Sequence, residues 1–125
     1  MKNSILLTLL LFIIISSCKK ELTKEEDTQN LMEIFGDIQS MAQSIDCTNS
    51  GEWTFTSYGS KACGGPKGYI PYSLNMDVLT FLQLIETHRR KEREFNDKWG
   101  AISDCMMAIQ PTGVHCKDGN PVLEY

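Results

Sequence analysis

The cysteines are the residues of this chain whose type and spacing indicate the most definite chemistry. Four of them, Cys47, Cys63, Cys105 and Cys116, lie beyond the first third of the sequence. No two form the close Cys-x-x-Cys pair that zinc sites prefer, so their spacing does not indicate a metal site. An even number of cysteines in a small exported domain is typical of disulfides. We therefore expect two disulfides, provided that the chain is exported.

The pairing of these four cysteines is open at the level of sequence, because three connectivities are possible. We predict the nested arrangement Cys47–Cys116 and Cys63–Cys105. The first bond would tie the start of the domain to its last hairpin, and the second would tie a glycine-rich loop to the segment after a long helix. Each bond would close a long loop, which contributes roughly 4 kcal/mol in the chain-entropy model.

The chain has two histidines, His88 and His115, and neither has the surroundings of a catalytic base. Such a base needs a nucleophile and an orienting group nearby. His88 lies in a run of charged residues, and His115 precedes a cysteine that we assign to a disulfide. His88 and Glu92 are four residues apart, as metal ligands on a helix can be, but no third ligand is evident. We expect no catalytic residues, no metal and no cofactor, and hence no enzyme.

A glycine-rich loop is the strongest candidate for a binding surface. Glycine permits close backbone approach and positive φ, so exposed amides in this loop could receive an anion or a peptide. The alternative, which we favour, is a tight turn pinned by a disulfide. In that case Gly64 or Gly65 occupies a backbone region closed to other residues, and Lys67 is exposed. The candidate binding residues are Lys61, Gly64, Gly65, Pro66, Lys67 and Gly68.

Five aromatic residues are concentrated around two strand-like segments. An exposed aromatic face could bind a glycan or a protein. The favoured alternative is that these rings form the core, because large apolar residues are buried more often than exposed. The five are Trp53, Phe55, Tyr58, Tyr69 and Tyr72.

The first eighteen residues have the pattern of a secretory signal. Met1-Lys2-Asn3 carries one positive charge, Ile5 to Ile15 is almost unbroken apolar sequence, and Ile15-Ser16-Ser17-Cys18 follows. This pattern is typical of a cleaved signal, and the apolar run is shorter than the ~20 residues of a membrane span. Ile-Ser-Ser-Cys resembles the bacterial lipobox, whose cysteine receives a diacylglyceryl group and becomes the mature N-terminus. The alternative is an ordinary secretory signal with a cysteine at its cleavage site.

The lipobox resemblance implies a bacterial lipoprotein that is exported, cut before Cys18 and held on a membrane by its acyl chains. Lys19, where aspartate would retain a lipoprotein in the inner membrane, implies the outer membrane by similarity to enterobacterial sorting. The charged residues that follow resemble the tether of surface-exposed lipoproteins in the Bacteroidetes, although a merely solvated linker has the same composition. We therefore expect a signal peptide at 1–17, a lipidated charged tether at 18–27 and one domain at 28–125.

Within that domain, the hydrophobic pattern predicts an N-terminal helix over 28–45 and a stapled core over 46–125. Alternating side chains predict a strand from Trp53 to Tyr58, and a second short strand surrounds Pro71, which restricts it to a sheet edge. A long helix is expected from a cap at Asn75 to a stop at Gly100. Its polar middle, from Glu86 to Glu94, is expected to face water.

The end of the chain carries a strong hairpin signal, Asp118-Gly119, between two strand-like runs. The segment between the long helix and this hairpin is expected to be irregular. The predicted fold class is therefore α+β, with a small antiparallel sheet of about four strands packed on one long and one shorter helix.

Several motifs together resemble a set of small exported bacterial proteins, many of them predicted lipoproteins. These motifs are Cys63-Gly64-Gly65-Pro66, Tyr69-Ile70-Pro71-Tyr72-Ser73 and Ser103-Asp104-Cys105. The resemblance covers about Cys47 to Tyr125. It implies a common disulfide-stapled domain, and it carries no activity over to this chain.

The charge balance argues against nucleic acid as a partner, because the chain has a net charge of −4 and no basic patch. We expect a membrane-anchored, non-enzymatic module that binds a protein or glycan of the cell envelope or has a structural role. One alternative is a disulfide-stapled inhibitor of an extracellular hydrolase, with the glycine-rich loop inserted in its target. A small enzyme is the least favoured alternative, and the sequence leaves the oligomeric state open.

Overall fold

The computed structural model describes residues 21–125, so the predicted signal peptide and Cys18 lie outside the described part of the chain. The described residues form two α-helices, four β-strands and one short 3-10 turn, and the predicted α+β class is confirmed. In chain order the elements are α1 (Lys24–Ala42), the 3-10 turn (Ser50–Glu52), β1 (Trp53–Tyr58), β2 (Gly68–Ser73), α2 (Val78–Trp99), β3 (Gly113–Lys117) and β4 (Asn120–Glu124).

Helix α1 begins four residues earlier than predicted and ends three residues earlier, at Ala42. Its start is set by a capping box, in which the Glu26 backbone N–H donates to Thr23 Oγ1 at 3.2 Å and the Thr23 N–H donates to Glu26 Oε2 at 2.8 Å. Such a box satisfies two backbone donors that a helix start leaves unpaired. Residues 24–27, which we expected to be part of the tether, therefore form the first turn of the helix.

The start of α1 is bonded to the end of α2. Lys98 Nζ and Trp99 Nε1 each donate to Asp27 Oδ2 at 3.0 Å. The hydrogen bond from Lys98, supported by that from Trp99, lowers the pKa of Asp27 below its ordinary value. The two helices consequently run antiparallel, with the N-terminal end of the domain beside the C-terminal end of α2.

Helix α2 begins at Val78 because Asp77 caps it, accepting from the Thr80 backbone N–H at 3.1 Å. The predicted cap at Asn75 is wrong by two residues. The predicted stop is confirmed, since Gly100 takes the left-handed conformation (φ 58°) that favours glycine at this position.

The four strands form two separate antiparallel hairpins, where we expected one small sheet. In the first, β1 pairs with β2 from Trp53 opposite Ser73 to Tyr58 opposite Gly68. Pro71 is tolerated there because β2 has β1 as its only partner strand in the described chain. In the second hairpin, Asp118 and Gly119 turn with φ of 51° and 78°, which confirms the predicted turn.

The core lies between the two helices and the first hairpin. Phe81 and Ile38 are completely buried, and Tyr72 stacks at a tilt on Phe81 with ring centroids 4.9 Å apart. Trp53 is also buried. Of the five aromatic residues in the sequence prediction, Trp53 and Tyr72 are buried and Tyr58 packs against the core partly buried. Phe55 and Tyr69 are partly exposed and lie outside the core cluster.

One predicted disulfide, Cys47–Cys116, is formed and joins the segment after α1 to β3. The same two residues are anchored by their backbones. The Cys47 N–H donates to the Gly119 carbonyl at 2.8 Å, and the Cys116 N–H donates to Ser50 Oγ at 3.0 Å. This bond fixes the second hairpin to the rest of the domain. Neither described helix is both long enough and apolar enough to cross a membrane.

Candidate functional site

A cleft of about 500 Å³ opens between α1, α2, the end of β1 with the glycine-rich loop, and the segment that follows α2. Its walls are largely apolar, and two of the apolar side chains at its rim are exposed, Met32 to 63% and Ile102 to 99%. The volume falls within the range of small-molecule sites. The main apolar lining residues are Leu31, Met32, Phe35, Tyr58, Phe95 and Ile102.

A buried carboxylate, Glu92, lies at the polar side of this cleft. Glu92 is 5% exposed. Its Oε2 accepts a hydrogen bond from the Ser60 backbone N–H at 2.7 Å, and its Oε1 accepts one from Lys67 Nζ. Asn96, one turn further along α2, donates to the Ser60 carbonyl at 2.9 Å. The middle of α2, which we expected to face water, is therefore bonded to the end of β1 and the glycine-rich loop.

Gly59 allows the chain after β1 to approach Glu92 on α2 this closely. A Cβ atom at that position would lie 2.9 Å from Glu92 Oε2 and 3.0 Å from Lys67 Cβ, and the residue has φ of +74°. Only glycine adopts such a conformation without strain while leaving room for the carboxylate. The chain thus turns directly against Glu92 and presents the Ser60 N–H to it.

His88 lies one turn before Glu92 and also lines the cleft. Its ring packs on Phe35 with centroids 5.3 Å apart, the residue is 5% exposed, and Nδ1 is buried with no hydrogen-bond partner among residues 21–125. Burial lowers the pKa of His88 below its ordinary value. The Glu92 charge opposes this shift, and the Lys67 charge adds to it. The ring is consequently neutral near pH 7, with unused hydrogen-bonding capacity.

The burial of His88 makes stability depend on pH. Because its pKa is lowered in the folded state, the unfolded chain binds more protons below about pH 6.5, and stability falls as the pH is lowered through that value. We expect the urea concentration at the unfolding midpoint to decrease as the pH is lowered from about 8 to about 5. This range lies above the pKa values of ordinary carboxylates. The variant His88→Phe, which keeps a ring against Phe35, should lose most of this decrease. An equal decrease in that variant would assign the effect to other groups.

The glycine-rich loop is a tight turn whose lysines bond within the chain. The Lys61 N–H donates to the Gly65 carbonyl at 2.9 Å, and the Gly64 N–H donates to the Lys61 carbonyl at 3.0 Å. Lys61 Nζ donates to Asp104 Oδ1 and to the Met106 carbonyl, each at 2.7 Å, and its side chain is 13% exposed. Lys67 is exposed, as expected, with a side chain that is 48% exposed, and its ammonium also bonds the buried Glu92, which the sequence did not predict.

We expect Gly64→Ala and Gly65→Ala each to lower the free energy of unfolding by about 1 kcal/mol. The residues have φ of 95° and 80°, and a Cβ at either would meet no atom within 4 Å, so the cost is one of backbone conformation. Gly36→Ala, inside α1 and equally unobstructed, is the control and should instead stabilise the protein by up to about 1 kcal/mol. Thermal melts that show no loss for both loop variants would contradict this interpretation.

Cys63 and Cys105, the second predicted disulfide pair, are free thiols that lie beside each other on the surface. A hydrogen bond from Cys105 lowers the pKa of Cys63, helped by Ser103, and the same interaction raises the pKa of Cys105. Cys63 Sγ is 3.3 Å from the Asp104 carbonyl oxygen. The two residues are thus brought together as the pairing requires, while the bond itself stays a prediction.

Other residues of the sequence analysis lie apart from the cleft. His115 is in β3, with Nδ1 at 3.2 Å from Glu124 Oε1. The link from Glu92 and Asn96 to Ser60 was not predicted from the sequence. A usable signal was present, since Phe81, Ile85, His88 and Glu92 recur at spacings of four, three and four and therefore share one face of α2.

Among residues 21–125, no group of three or more histidine, cysteine, aspartate or glutamate side chains is placed to hold a metal ion. The chain matches no family model, no curated protein and no solved structure.

Proposed function

We propose that this chain is an exported, lipid-anchored binding protein of the cell envelope whose cleft holds an envelope component. The observation that carries the proposal is the cleft itself, an open apolar space of about 500 Å³ with a polar network built into one side. Burial of exposed apolar surface contributes about 25 cal/mol per Å², so an occupant that covers Met32 and Ile102 would be bound through the cleft rim.

The start of α1 supports a location close to a membrane. If Cys18 carries the lipid, five residues separate it from Lys24, and even fully extended they span about 20 Å. The cleft is lined by the second and third turns of α1, through Thr28, Leu31 and Met32. The anchor would therefore hold the cleft near the lipid surface, which by the lysine at position 19 we assign to the outer membrane.

The surroundings of His88 support binding without catalysis. Its buried Nδ1 has no hydrogen-bond partner among residues 21–125, so no described group orients the ring as the third member of a catalytic triad does. Both oxygens of Glu92 are already used, one by Ser60 and the other by Lys67. The bonds from Ser60 and Lys67 to Glu92 therefore have a structural role in the wall of the cleft.

Photocrosslinking in cells tests the binding function. The photoreactive residue p-benzoylphenylalanine is placed at position 32 or 102 on the cleft rim, or at position 107 as a control. Met107 is 92% exposed and does not line the cleft. We expect light-dependent adducts, detected as added mass on the chain, at 32 and 102 only. Equal adducts at 107, or none at either rim position, would overturn the proposal.

The anchor is tested separately with Cys18→Ala. This variant should remain unprocessed or become soluble, because the acyl chains can no longer be attached. Fractionation with carbonate and high-salt washes measures the outcome. If the processed variant still partitions wholly with the membrane, the lipid anchor is rejected.

A further inference from the structure

The charges around the cleft restrict what it can hold. Of the described residues that line it, Lys67 and Glu92 carry fixed charges, and they form an ion pair with each other. Glu92 is almost fully buried in this pair, with a side chain that is 7% exposed. His88 is neutral near pH 7 because burial lowers its pKa. The lining therefore presents no unpaired charge.

Binding of a charged molecule in this space would cost free energy. The molecule would give up its hydration and meet an ion pair whose net charge is zero, so neither Lys67 nor Glu92 would act as a full counter-charge. An uncharged apolar body has no such penalty and gains from contact with Leu31, Phe35 and Phe95.

The polar side of the cleft nevertheless offers one unused partner. Neutral imidazole has one nitrogen that donates and one that accepts, and in His88 the buried Nδ1 has no partner among residues 21–125. Leaving such a group unpaired in an apolar setting is costly. Nδ1 has almost no exposed surface in the structure, so a ligand with one polar group would remove part of that cost by drawing the His88 ring round to meet it.

We propose that the cleft selects an uncharged, mainly apolar small molecule with a single hydrogen-bonding group that interacts with His88. This inference rests on the proposed binding function and adds the chemical class of the ligand. The volume of about 500 Å³ suits a molecule of drug-like size, not a folded partner.

The test compares two fluorescent probes that differ by one charge. N-phenylnaphthylamine is neutral, with one N–H donor on an apolar aromatic body, and anilinonaphthalenesulfonate adds a sulfonate to the same body. The soluble, processed form of the chain carrying Cys18→Ala is titrated with each probe, in the absence of lipid and detergent, because the apolar signal segment would itself bind the neutral probe. We expect the neutral probe to bind at least about tenfold more tightly, because the sulfonate must be desolvated without a counter-charge.

Three variants locate the bound probe. Ile102→Glu places a charge on the rim and should weaken binding of the neutral probe about tenfold, whereas Met107→Glu in the same exposed segment should change it less than about twofold. His88→Phe keeps the ring stack and removes both nitrogens, and it should weaken binding by about three- to tenfold. Circular dichroism and melting of each variant separate loss of binding from loss of fold.

The outcomes distinguish the two proposals. Equal or tighter binding of the sulfonated probe, or an equal effect of Ile102→Glu and Met107→Glu, would overturn the ligand class. Absence of neutral-probe binding would do the same, and rim-specific adducts in cells would then still support binding of another kind of molecule. Selective neutral-probe binding without any adduct in cells would reject the envelope function and keep the chemistry of the cleft.

Discussion

Replacing Cys47 and Cys116 together by serine is expected to lower the free energy of unfolding by about 4 kcal/mol. The bond joins residues 69 positions apart, so its loss gives the unfolded chain much more conformational freedom. Cys47 is also 2% exposed, and a serine hydroxyl there would be placed in an apolar setting. Urea unfolding of the two-serine variant measures the loss, and stability within about 1 kcal/mol of wild type would contradict the expectation.

A second variant replaces Cys63 and Cys105 by serine. Both residues are exposed, and with free thiols, as in the structure, their replacement would cost less than about 1 kcal/mol. With the predicted Cys63–Cys105 bond formed, the loss would rise to about 4 kcal/mol, so this variant measures whether the bond forms.

Glu92→Ala is expected to destabilise the domain by about 3 kcal/mol, the second largest effect. The substitution leaves the buried Ser60 N–H without its acceptor, removes the partner of Lys67 and opens space beside Gly59. A domain of this size should melt roughly 10 to 20 °C lower as a result. Calorimetry or thermal circular dichroism measures the change.

Glu94→Ala is the control on the same helix. Glu94 is 63% exposed and pairs with Arg90 one turn away, so its removal should change stability by less than about 0.5 kcal/mol. Glu92→Gln retains an acceptor for Ser60 and should recover part of the loss seen with alanine. Equal melting of the alanine variants at 92 and 94 would show that the buried network does not stabilise the fold.

Local sequence signals predicted the elements well where each signal is complete within a few residues. The alternation from Trp53 to Tyr58, the stop at Gly100 and the turn at Asp118-Gly119 each appear as expected. The early start of α1 was also encoded locally, in the capping box of Thr23 and Glu26. It was missed because the charged residues around it have the composition of a solvated linker.

The candidate site was less predictable, because its polar network joins residues distant in sequence. The buried face of α2 can be recognised from the spacing of Phe81, Ile85, His88 and Glu92. What holds Glu92 there is the Ser60 N–H and the Lys67 ammonium, 32 and 25 positions away in the chain. A charged residue in a polar run usually indicates solvent exposure, and this composition outweighed the helical spacing that places Glu92 on the buried face.

The disulfide pairing was less predictable from the sequence than the local elements and more predictable than the polar network of the cleft. Cys47–Cys116 is confirmed, although spacing alone allowed two other pairings for these cysteines. The choice depended on placing the last hairpin against the start of the domain, which is a statement about the fold and not about cysteine spacing.

Native mass spectrometry of the full protein, extracted from cells in mild detergent, tests most directly the proposal that the cleft holds an envelope component. The wild-type chain and the Met107→Glu control should carry a bound mass beyond that of the covalent chain, and denaturation should release it. Ile102→Glu, which alters the cleft rim, should lose that mass. A wild-type chain without any bound mass, or a mass retained equally by Ile102→Glu, would contradict the assignment of this cleft as the binding site.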